Sequence, residues 1–265
     1  MREYESLDVS IEDHVFRVAF DRPEKANAID EATHDDLKYV FEDAHHVDAR
    51  VVVLTGNGDT FSAGGDLEWL QQNAENPEQF RRTMYDDEKI MRDLVMLEKP
   101  VVTRVNGHMT GLAATIGLFG DIVVASQDAK IGDPHVKAGL VAGDGGAVIW
   151  PLLTSMCKAK ELLMTGELVS ATEAEDLGLV NYAVPPDELD QKVDELVGKL
   201  VDGPQPAIQY TKQTLNSWVQ MGMTLNFDLG QAYEVVSQQH PDHSEAVDAF
   251  TEGRSPDFPS ARDEE

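Results

Sequence analysis

A glycine-containing turn between an apolar run and a helix could hold an oxygen that becomes negatively charged during a reaction. The apolar residues 100–105 lead into Asn106-Gly107, and a helix of small and apolar residues is expected over 112–119. The first N–H groups of a helix have no partners within it and lie at its positive end. Inside a protein such groups are suited to stabilising an oxyanion. We expect the glycine-containing residues 62–66 to supply the other half of this oxyanion hole.

The elements that must position these stretches alternate between strand and helix. Residues 7–20 alternate in polarity around a turn at 12–14, which predicts a β-hairpin. Continuous apolar runs at 51–56 and 101–105 are typical of parallel strands buried on both faces. Further helices are expected at 31–46, 67–97, 147–153, 159–164 and 172–178, and further strands at 122–125, 130–132 and 180–184. This alternation predicts an α/β fold with parallel strands.

Beyond residue 185 the pattern indicates helices without strands between them. They are expected at 189–201, 206–220, 225–239 and 244–252. We therefore divide the chain into an α/β core, 1–195, and a helical C-terminal region, 196–265. A helical appendage of this kind commonly packs against the core or another subunit.

The charge of the chain is strongly negative. Its 265 residues include 49 acidic and 21 basic side chains, which gives a net charge of −28. Nucleic acids and anionic membranes bind positive surfaces, so both are excluded as expected partners. The acidic residues are spread along the whole chain. A well-solvated surface would explain this, but we favour adaptation to high salt, in which self-repulsion of an acidic surface is screened.

The cysteine content and the apolar runs predict the compartment. Cys157 is the only cysteine, which excludes an internal disulfide and predicts a reducing, cytoplasmic location. The N-terminal residues contain no apolar signal core, and no run approaches the roughly 18 apolar residues that a membrane span needs. No membrane association is expected.

Five stretches together resemble the crotonase superfamily of enoyl-CoA hydratases and isomerases. They are residues 21–28, 61–67, 99–122, 163–180 and 245–254. The first resembles the early coenzyme A loop of the family, and the second and third resemble its two oxyanion segments. The matches cover nearly the whole chain in the family order.

This resemblance implies a fold, an assembly and a substrate. The fold is a spiral core of ββα turns followed by a helical trimerisation region, and the assembly is a homotrimer or a dimer of trimers. The substrate is an acyl-CoA thioester, whose coenzyme A is part of the substrate, so that no separate cofactor and no metal are expected. By position, the backbone N–H groups of Gly65 and Leu112 bind the thioester carbonyl. Two fixed donors would stabilise the charge that this oxygen gains in an enolate or a tetrahedral intermediate.

The resemblance also carries substrate-binding positions over to this chain. In the coenzyme A segments they are Arg22, Lys25, Ala26, Ala28, Lys212 and Phe250. In the two oxyanion segments they are Ala63, Gly64, Asp66, Leu67, Gly111 and Thr115.

The sequence departs from a family hydratase at both catalytic carboxylates. Thr115 and His135 stand where such an enzyme has two glutamates. Asp144 follows nine residues after His135, an arrangement that resembles carbon–carbon hydrolases of the same superfamily, which cleave β-diketones. We expect His135 to be the general base and Asp144 to orient its ring. His135 without a role, and Asp144 as only a helix cap, remain alternatives.

Three functions therefore stay open on the sequence. The favoured one is an enoyl-CoA hydratase/isomerase-family enzyme, a lyase or isomerase, that acts on an acyl-CoA through an oxyanion-stabilised enolate-type intermediate. The second is a hydrolase of a carbon–carbon bond or of a thioester. The third is a coenzyme A-binding protein without catalysis.

Several other polar and aromatic residues are expected to have structural roles. Asp133 should order the turn before Pro134, and Thr115 should pack in the interior. Trp69 and Trp150 are expected to pack in the core, and the alternative is that they line the acyl pocket. The histidines expected at the surface are His14, His34, His45, His46, His240 and His243.

Overall fold

A six-stranded sheet forms the centre of the computed structural model, which describes residues 2–262. The strands are β1 (Leu7–Glu12), β2 (Val15–Phe20), β3 (Val51–Gly56), β4 (Val101–Val105), β5 (Met109–Thr110), β6 (Ile122–Ser126), β7 (Lys130–Gly132), β8 (Val169–Ser170) and β9 (Tyr182–Val184). The order in the main sheet is β1-β2-β3-β4-β6-β9. Apart from the antiparallel hairpin β1–β2, all of its pairs are parallel, which confirms the α/β prediction.

The helices are α1 (Glu31–His46), α2 (Leu67–Glu75), α3 (Pro77–Met96), α4 (Leu112–Leu118), α5 (Gly146–Leu153), α6 (Met156–Thr165), α7 (Ala171–Asp176), α8 (Leu189–Val201), α9 (Gln205–Gln238) and α10 (Pro241–Glu252). The predicted cap of α1 is confirmed, because the Asp30 carboxylate accepts a hydrogen bond from the Thr33 N–H at 2.9 Å. Residues 263–265 of the predicted C-terminal region lie outside the described residues.

Both faces of the main sheet are covered, as continuous apolar strands require. On one face, Val51 and Val53 of β3 pack with Val193 and Val197 of α8. On the other face, Val52 and the β3 side chains that point the same way pack in the large central core. The boundary drawn at residue 195 therefore falls inside α8, which packs on the sheet, and the division into two regions stays a prediction.

Two helix boundaries differ from the sequence prediction. The expected helix 67–97 is two helices, because Asn76 accepts a hydrogen bond from the Gln79 N–H at 3.2 Å and Pro77 begins α3. The expected helices 206–220 and 225–239 are one helix, α9, of 34 residues. Gly222 lies against α5, where an added Cβ would come within 3.2 Å of the Val148 side chain, so packing keeps the helix continuous there.

A second, three-stranded sheet positions the stretches whose residues could take part in catalysis. Its order is β5-β7-β8, and β5 pairs in parallel with β7. Ser62 bridges to Met109 of β5, so the two glycine-containing stretches lie side by side. The pairing of Thr110 with Gly132 brings residues 133–135 beside the same strand. Within residues 2–262, no helix combines the length and the apolar character that crossing a bilayer requires.

Candidate active site

A cavity of about 160 Å³ lies between α2, α3, α9, the start of α4 and the turn after β7. A designed cavity of about 150 Å³ holds benzene, so this space fits a small organic group. Its wall is mostly apolar, with side chains such as Leu70, Phe80 and Met84.

The two glycine-containing stretches present unpaired backbone donors to this cavity. The Ser62 N–H donates to the His108 carbonyl, and the Thr110 N–H donates to the Ser62 carbonyl, each at 3.1 Å. Gly65 and Leu112 both line the cavity, and neither N–H donates a hydrogen bond to another group within residues 2–262. An oxyanion hole requires two unpaired backbone donors of this kind at one cavity.

Two glycines with positive φ make this close approach possible. Gly64 has φ +84°, and an added Cβ would lie 3.0 Å from the Thr110 carbonyl oxygen. Gly111 has φ +59° and caps the N-terminus of α4, beside the Cα of Gly64. Side chains at these positions would strain the backbone and separate the two stretches.

His135 lines the cavity and is held by Asp133. The Asp133 carboxylate accepts hydrogen bonds from the His135 backbone N–H, at 3.2 Å, and from Nδ1 of its ring. The distance from His135 Nε2 to Asp144 Oδ2 is 3.8 Å, which is too long for a hydrogen bond. The expectation that Asp144 orients the ring is therefore corrected: the residue that fixes the ring is Asp133, which does more than order the turn.

Asp144 has two other partners. Its carboxylate accepts hydrogen bonds from the Thr115 hydroxyl, at 3.1 and 3.2 Å, and from the Gly146 N–H, at 3.1 Å. It therefore supports the start of α5, as the helix-cap alternative supposed, and also faces the cavity. Thr115 is fully buried and does more than pack, because its hydroxyl fixes Asp144.

The buried charges change the proton affinities of this cluster. Burial alone would lower the pKa of His135, but the charges of Asp133 and Asp144 outweigh it and raise that pKa well above its ordinary value. Burial raises the pKa of Asp144 to about 7, against the opposing effect of positive His135. Burial also raises the pKa of Glu234 well above its ordinary value. Because these groups are buried together, the protonation of each one changes the proton affinity of the others.

The structure places polar residues at the cavity that were not predicted from the sequence. Glu234 of α9 lines the cavity and accepts a hydrogen bond from the Gly143 N–H at 3.0 Å. Asp87 of α3 also lines it, and its Oδ1 lies 2.8 Å from Nε2 of His34. His34 and His243 were expected at the surface, but both are buried, so that expectation is wrong for them.

The helical periodicity of α3 and α1 indicates that Asp87 and His34 lie on buried faces. Asp87 lies on the buried stripe of α3 that contains Phe80, Met84, Met91 and Leu94. His34 lies on the buried stripe of α1 with Leu37, Phe41 and Ala44. A polar residue on an apolar helical face is the informative signal. Glu234 has no such signal, because the buried face of α9 around it is largely polar.

The coenzyme A segment forms a surface groove next to the cavity, and Trp69 lines both. Arg22 is paired with Asp30 at 2.9 Å and with Asp66 at 3.7 Å, whereas Lys25 is exposed. Ala28 is buried, and Ala26 accepts a hydrogen bond from the Ala63 N–H at 3.0 Å, which ties this loop to the first oxyanion stretch. The predicted residues at the cavity itself are Ala63, Gly64, Gly65, Leu67, Gly111, Leu112, His135, Asp144 and Phe250.

Lys212 does not join the other predicted binding residues. It is 7% exposed, and its Nζ lies 2.7 Å from Asp121 and 2.9 Å from the Lys99 carbonyl oxygen. This position is outside both the cavity and the groove. Within one chain, Lys212 therefore holds α9 against the residues that precede β4 and β6, away from the groove.

Three residues of the site have a spacing that could hold a metal ion. One ligand atom from each of Asp133, His135 and Asp144 lies within 4.8 Å of the others. Nδ1 of His135 is already hydrogen-bonded to Asp133, and both Asp144 oxygens accept from Thr115. The expectation that the protein uses no metal stays a prediction.

Comparison with known proteins shows the family of the chain. The family model described as enoyl-CoA hydratase/isomerase matches residues 10–261. The chain belongs to this enzyme family. A short-chain-enoyl-CoA hydratase from Clostridium acetobutylicum is 32% identical over 258 residues, which are 95% of this chain and 97% of that protein.

Solved structures confirm the fold. An enoyl-CoA hydratase/isomerase from Mycobacterium paratuberculosis superposes with a TM-score of 0.89 at 30% identity, covering 93% of this chain and 99% of that one. A β-diketone hydrolase from the cyanobacterium Anabaena superposes with a TM-score of 0.80 at 28% identity, covering 89% and 95%. The predicted crotonase-like α/β fold with C-terminal helices is thereby confirmed.

Proposed function

We propose that this enzyme converts a small acyl-CoA through an enolate-type intermediate, with His135 as the general base. The observation that carries the proposal is the meeting of the unpaired Gly65 and Leu112 N–H groups with His135 in one cavity. A thioester oxygen placed between the two donors would be stabilised as it becomes negative. The cavity volume of about 160 Å³ favours a short or single-ring acyl group.

Asp133 supports the base in two ways. Its hydrogen bond to Nδ1 leaves Nε2 of His135 as the nitrogen that accepts the proton. Its negative charge, together with that of Asp144, then stabilises the imidazolium that forms. The proposed steps transfer protons and add or remove water without net oxidation or reduction, so we propose that they need no cofactor apart from the coenzyme A carried by the substrate, and no metal.

A carbon–carbon bond hydrolase is the second candidate. It is favoured by a specific observation: a histidine with two nearby carboxylates replaces the pair of glutamates of a hydratase. The similarity to the β-diketone hydrolase from Anabaena supports it further. In this case His135 would activate water, which attacks a carbonyl, and the oxyanion hole would hold the departing enolate.

Product analysis separates these candidates. Loss of the conjugated absorbance of crotonyl-CoA would support hydration, thiol release would support thioester hydrolysis, and chain cleavage of a cyclic β-diketone would support the second candidate. His135→Ala should lower kcat at least about 100-fold, as expected for the loss of a general base. The matched control is His46→Ala, at an exposed histidine of α1. Full activity of His135→Ala would contradict the assignment, and coenzyme A binding without any turnover would indicate a binding protein.

We also propose a homotrimer or a dimer of trimers. Helix α9 exposes large apolar side chains at intervals of three or four residues, namely Trp218, Met221, Leu225, Leu229, Tyr233 and Val236. A continuous exposed apolar stripe of this kind is typical of a contact between chains. Light scattering should therefore give the mass of three or six chains, and Leu225→Glu should yield smaller species.

A cytoplasmic location, supported by the single cysteine, stays a prediction.

A further inference from the structure

Asp87 brings a second proton-binding group to the wall of the cavity. It lies on α3, whereas His135 lies on the turn after β7. It is 1% exposed and belongs to the residues that line the cavity. Its Oδ1 is held by His34, and its Oδ2 has no hydrogen bond within residues 2–262. One oxygen is therefore fixed, and the other is available to a bound molecule.

His34 has the geometry of a residue that positions another. It is 4% exposed, and its Nε2 lies 2.8 Å from Oδ1 of Asp87. Its ring packs against Trp69, with 5.2 Å between the ring centroids. Asp87 and His34 thus form a second carboxylate–imidazole pair, like Asp133 and His135. In this second pair the carboxylate lines the cavity.

The charges around Asp87 favour a proton on it. Burial raises the pKa of Asp87, while positive charge on His34 or His135 lowers it. The negative charge of Asp86, its neighbour on α3, raises it further. Asp144 and Glu234, which face the same cavity from the loop before α5 and from α9, are also carboxylates. A carboxyl among these groups holds its proton more tightly than in water.

We propose that Asp87 is a second proton-transfer residue of this enzyme, positioned by His34. The inference rests on the proposed acyl-CoA function. Asp87 would take the place of the second catalytic carboxylate of a hydratase. Thr115 stands at one of the two carboxylate positions, and it is buried and bonded to Asp144. Two groups are needed to take a proton at one atom and to give a proton at another.

Addition of water to an unsaturated thioester would use both groups. Nε2 of His135 takes a proton from water, and the water oxygen bonds to the β-carbon. The electron pair of the carbon–carbon double bond moves toward the thioester oxygen, held by the Gly65 and Leu112 N–H groups. The Asp87 carboxyl gives its proton to the α-carbon, and the carbonyl re-forms. A proton returning from His135 to Asp87 through solvent restores both groups, and one water has been added.

The substitution Asp87→Asn tests this role. It keeps the shape of the side chain and removes the transferable proton, so kcat should fall about 100-fold or more. KM should change by less than about threefold, because ground-state binding is largely kept. The matched control is Asp93→Asn, at a carboxylate of α3 that pairs with Lys89 and does not line the cavity. It should retain activity within about twofold.

The pH profile separates proton transfer from a structural role. An acid must be protonated, so the rate should fall as the pH rises through the pKa of Asp87, and this alkaline limb should disappear in Asp87→Asn. Asp87→Glu, which keeps a proton donor, should recover part of kcat. His34→Gln can still donate to Asp87 and should keep the limb, whereas His34→Phe should shift it to higher pH, since Asp87 would lose its donor.

The outcomes are distinct. If the wild type is active and Asp87→Asn keeps both its kcat and the alkaline limb, the role of Asp87 is overturned. The proposed function then still stands. Equal losses in Asp87→Asn and Asp87→Glu, with no change of limb, would make the residue structural and overturn the inference. A wild type that turns over neither crotonyl-CoA nor other short acyl-CoA thioesters would overturn the proposed function, and the inference with it.

Discussion

At the residue scale, the site uses one histidine among several carboxylates. In a pair of glutamates, each group has its own proton and its own task. Here His135, Asp133, Asp144 and Glu234 are buried together, and their proton affinities depend on one another. The negative neighbours make His135 a stronger base, because they stabilise its protonated form. This stronger base is useful for removing a proton from water or from carbon.

The raised pKa of His135 predicts the position of the acid limb of activity. A base must be neutral, so kcat/KM should fall as the pH drops through the pKa of His135, with a midpoint above the ordinary value of 6.5. Asp133→Asn removes the first of the two charges that raise this pKa and should move the limb to lower pH. Asp144→Asn should move it less, and a larger movement in that variant would restore Asp144 as the main partner of the ring. Steady-state rates over the pH range measure both shifts.

At the element scale, short strands decide where the chemistry occurs. β5 has two residues, yet Ser62 bridges to it and β7 pairs with it. It thereby joins the first oxyanion stretch, the second oxyanion stretch and the turn that carries His135. Gly107, just before β5, packs so closely that an added Cβ would lie 1.9 Å from the Asp59 carbonyl oxygen. This contact is between two backbones, which cannot move apart as side chains do.

Two glycine substitutions should have opposite effects on stability. Gly107→Ala should lower the free energy of unfolding by about 1–3 kcal/mol or more, because it forces the two backbone segments apart. Gly198→Ala lies within α8, where an added Cβ meets nothing within 4 Å. It should raise the free energy of unfolding by about 0.5–1 kcal/mol, since alanine favours a helix over glycine. Urea unfolding of both variants measures the difference, and equal effects would contradict the packing at Gly107.

At the scale of the whole molecule, the charge of −28 acts on both stability and binding. Like charges on the surface repel each other and weaken the folded state until salt screens them. The groove beside the cavity has the same character, because five carboxylates and two cations line it. Coenzyme A is itself a polyanion, so the protein should repel it at low salt.

Salt should therefore stabilise the protein and strengthen substrate binding together. From about 0.1 M to molar potassium chloride, the melting temperature should rise and the KM for an acyl-CoA should fall. Most proteins that bind polyanions through basic surfaces show the opposite trend in binding. Thermal unfolding and initial rates in a salt series measure both quantities. A melting temperature that does not rise would contradict adaptation to high salt.

The sequence by itself determined the family, the α/β class and most of the strands and helices, and it pointed to the two glycine-containing stretches whose backbone N–H groups lie at the cavity. These features depend on local patterns: apolar runs, capping residues such as Asp30, and glycines that a turn requires. The sequence also located His135, because its position follows from a motif next to a short strand.

Only the tertiary structure decided which groups surround His135. Asp133 and not Asp144 fixes the ring, Lys212 is placed away from the groove, and Asp87 with His34 enters the cavity. Residues 34, 87, 135 and 234 are far apart in the chain, and their distances depend on how α1, α3 and α9 pack. Local pattern predicts an element, but the side chains that meet across several elements are set by packing, which a single sequence does not record.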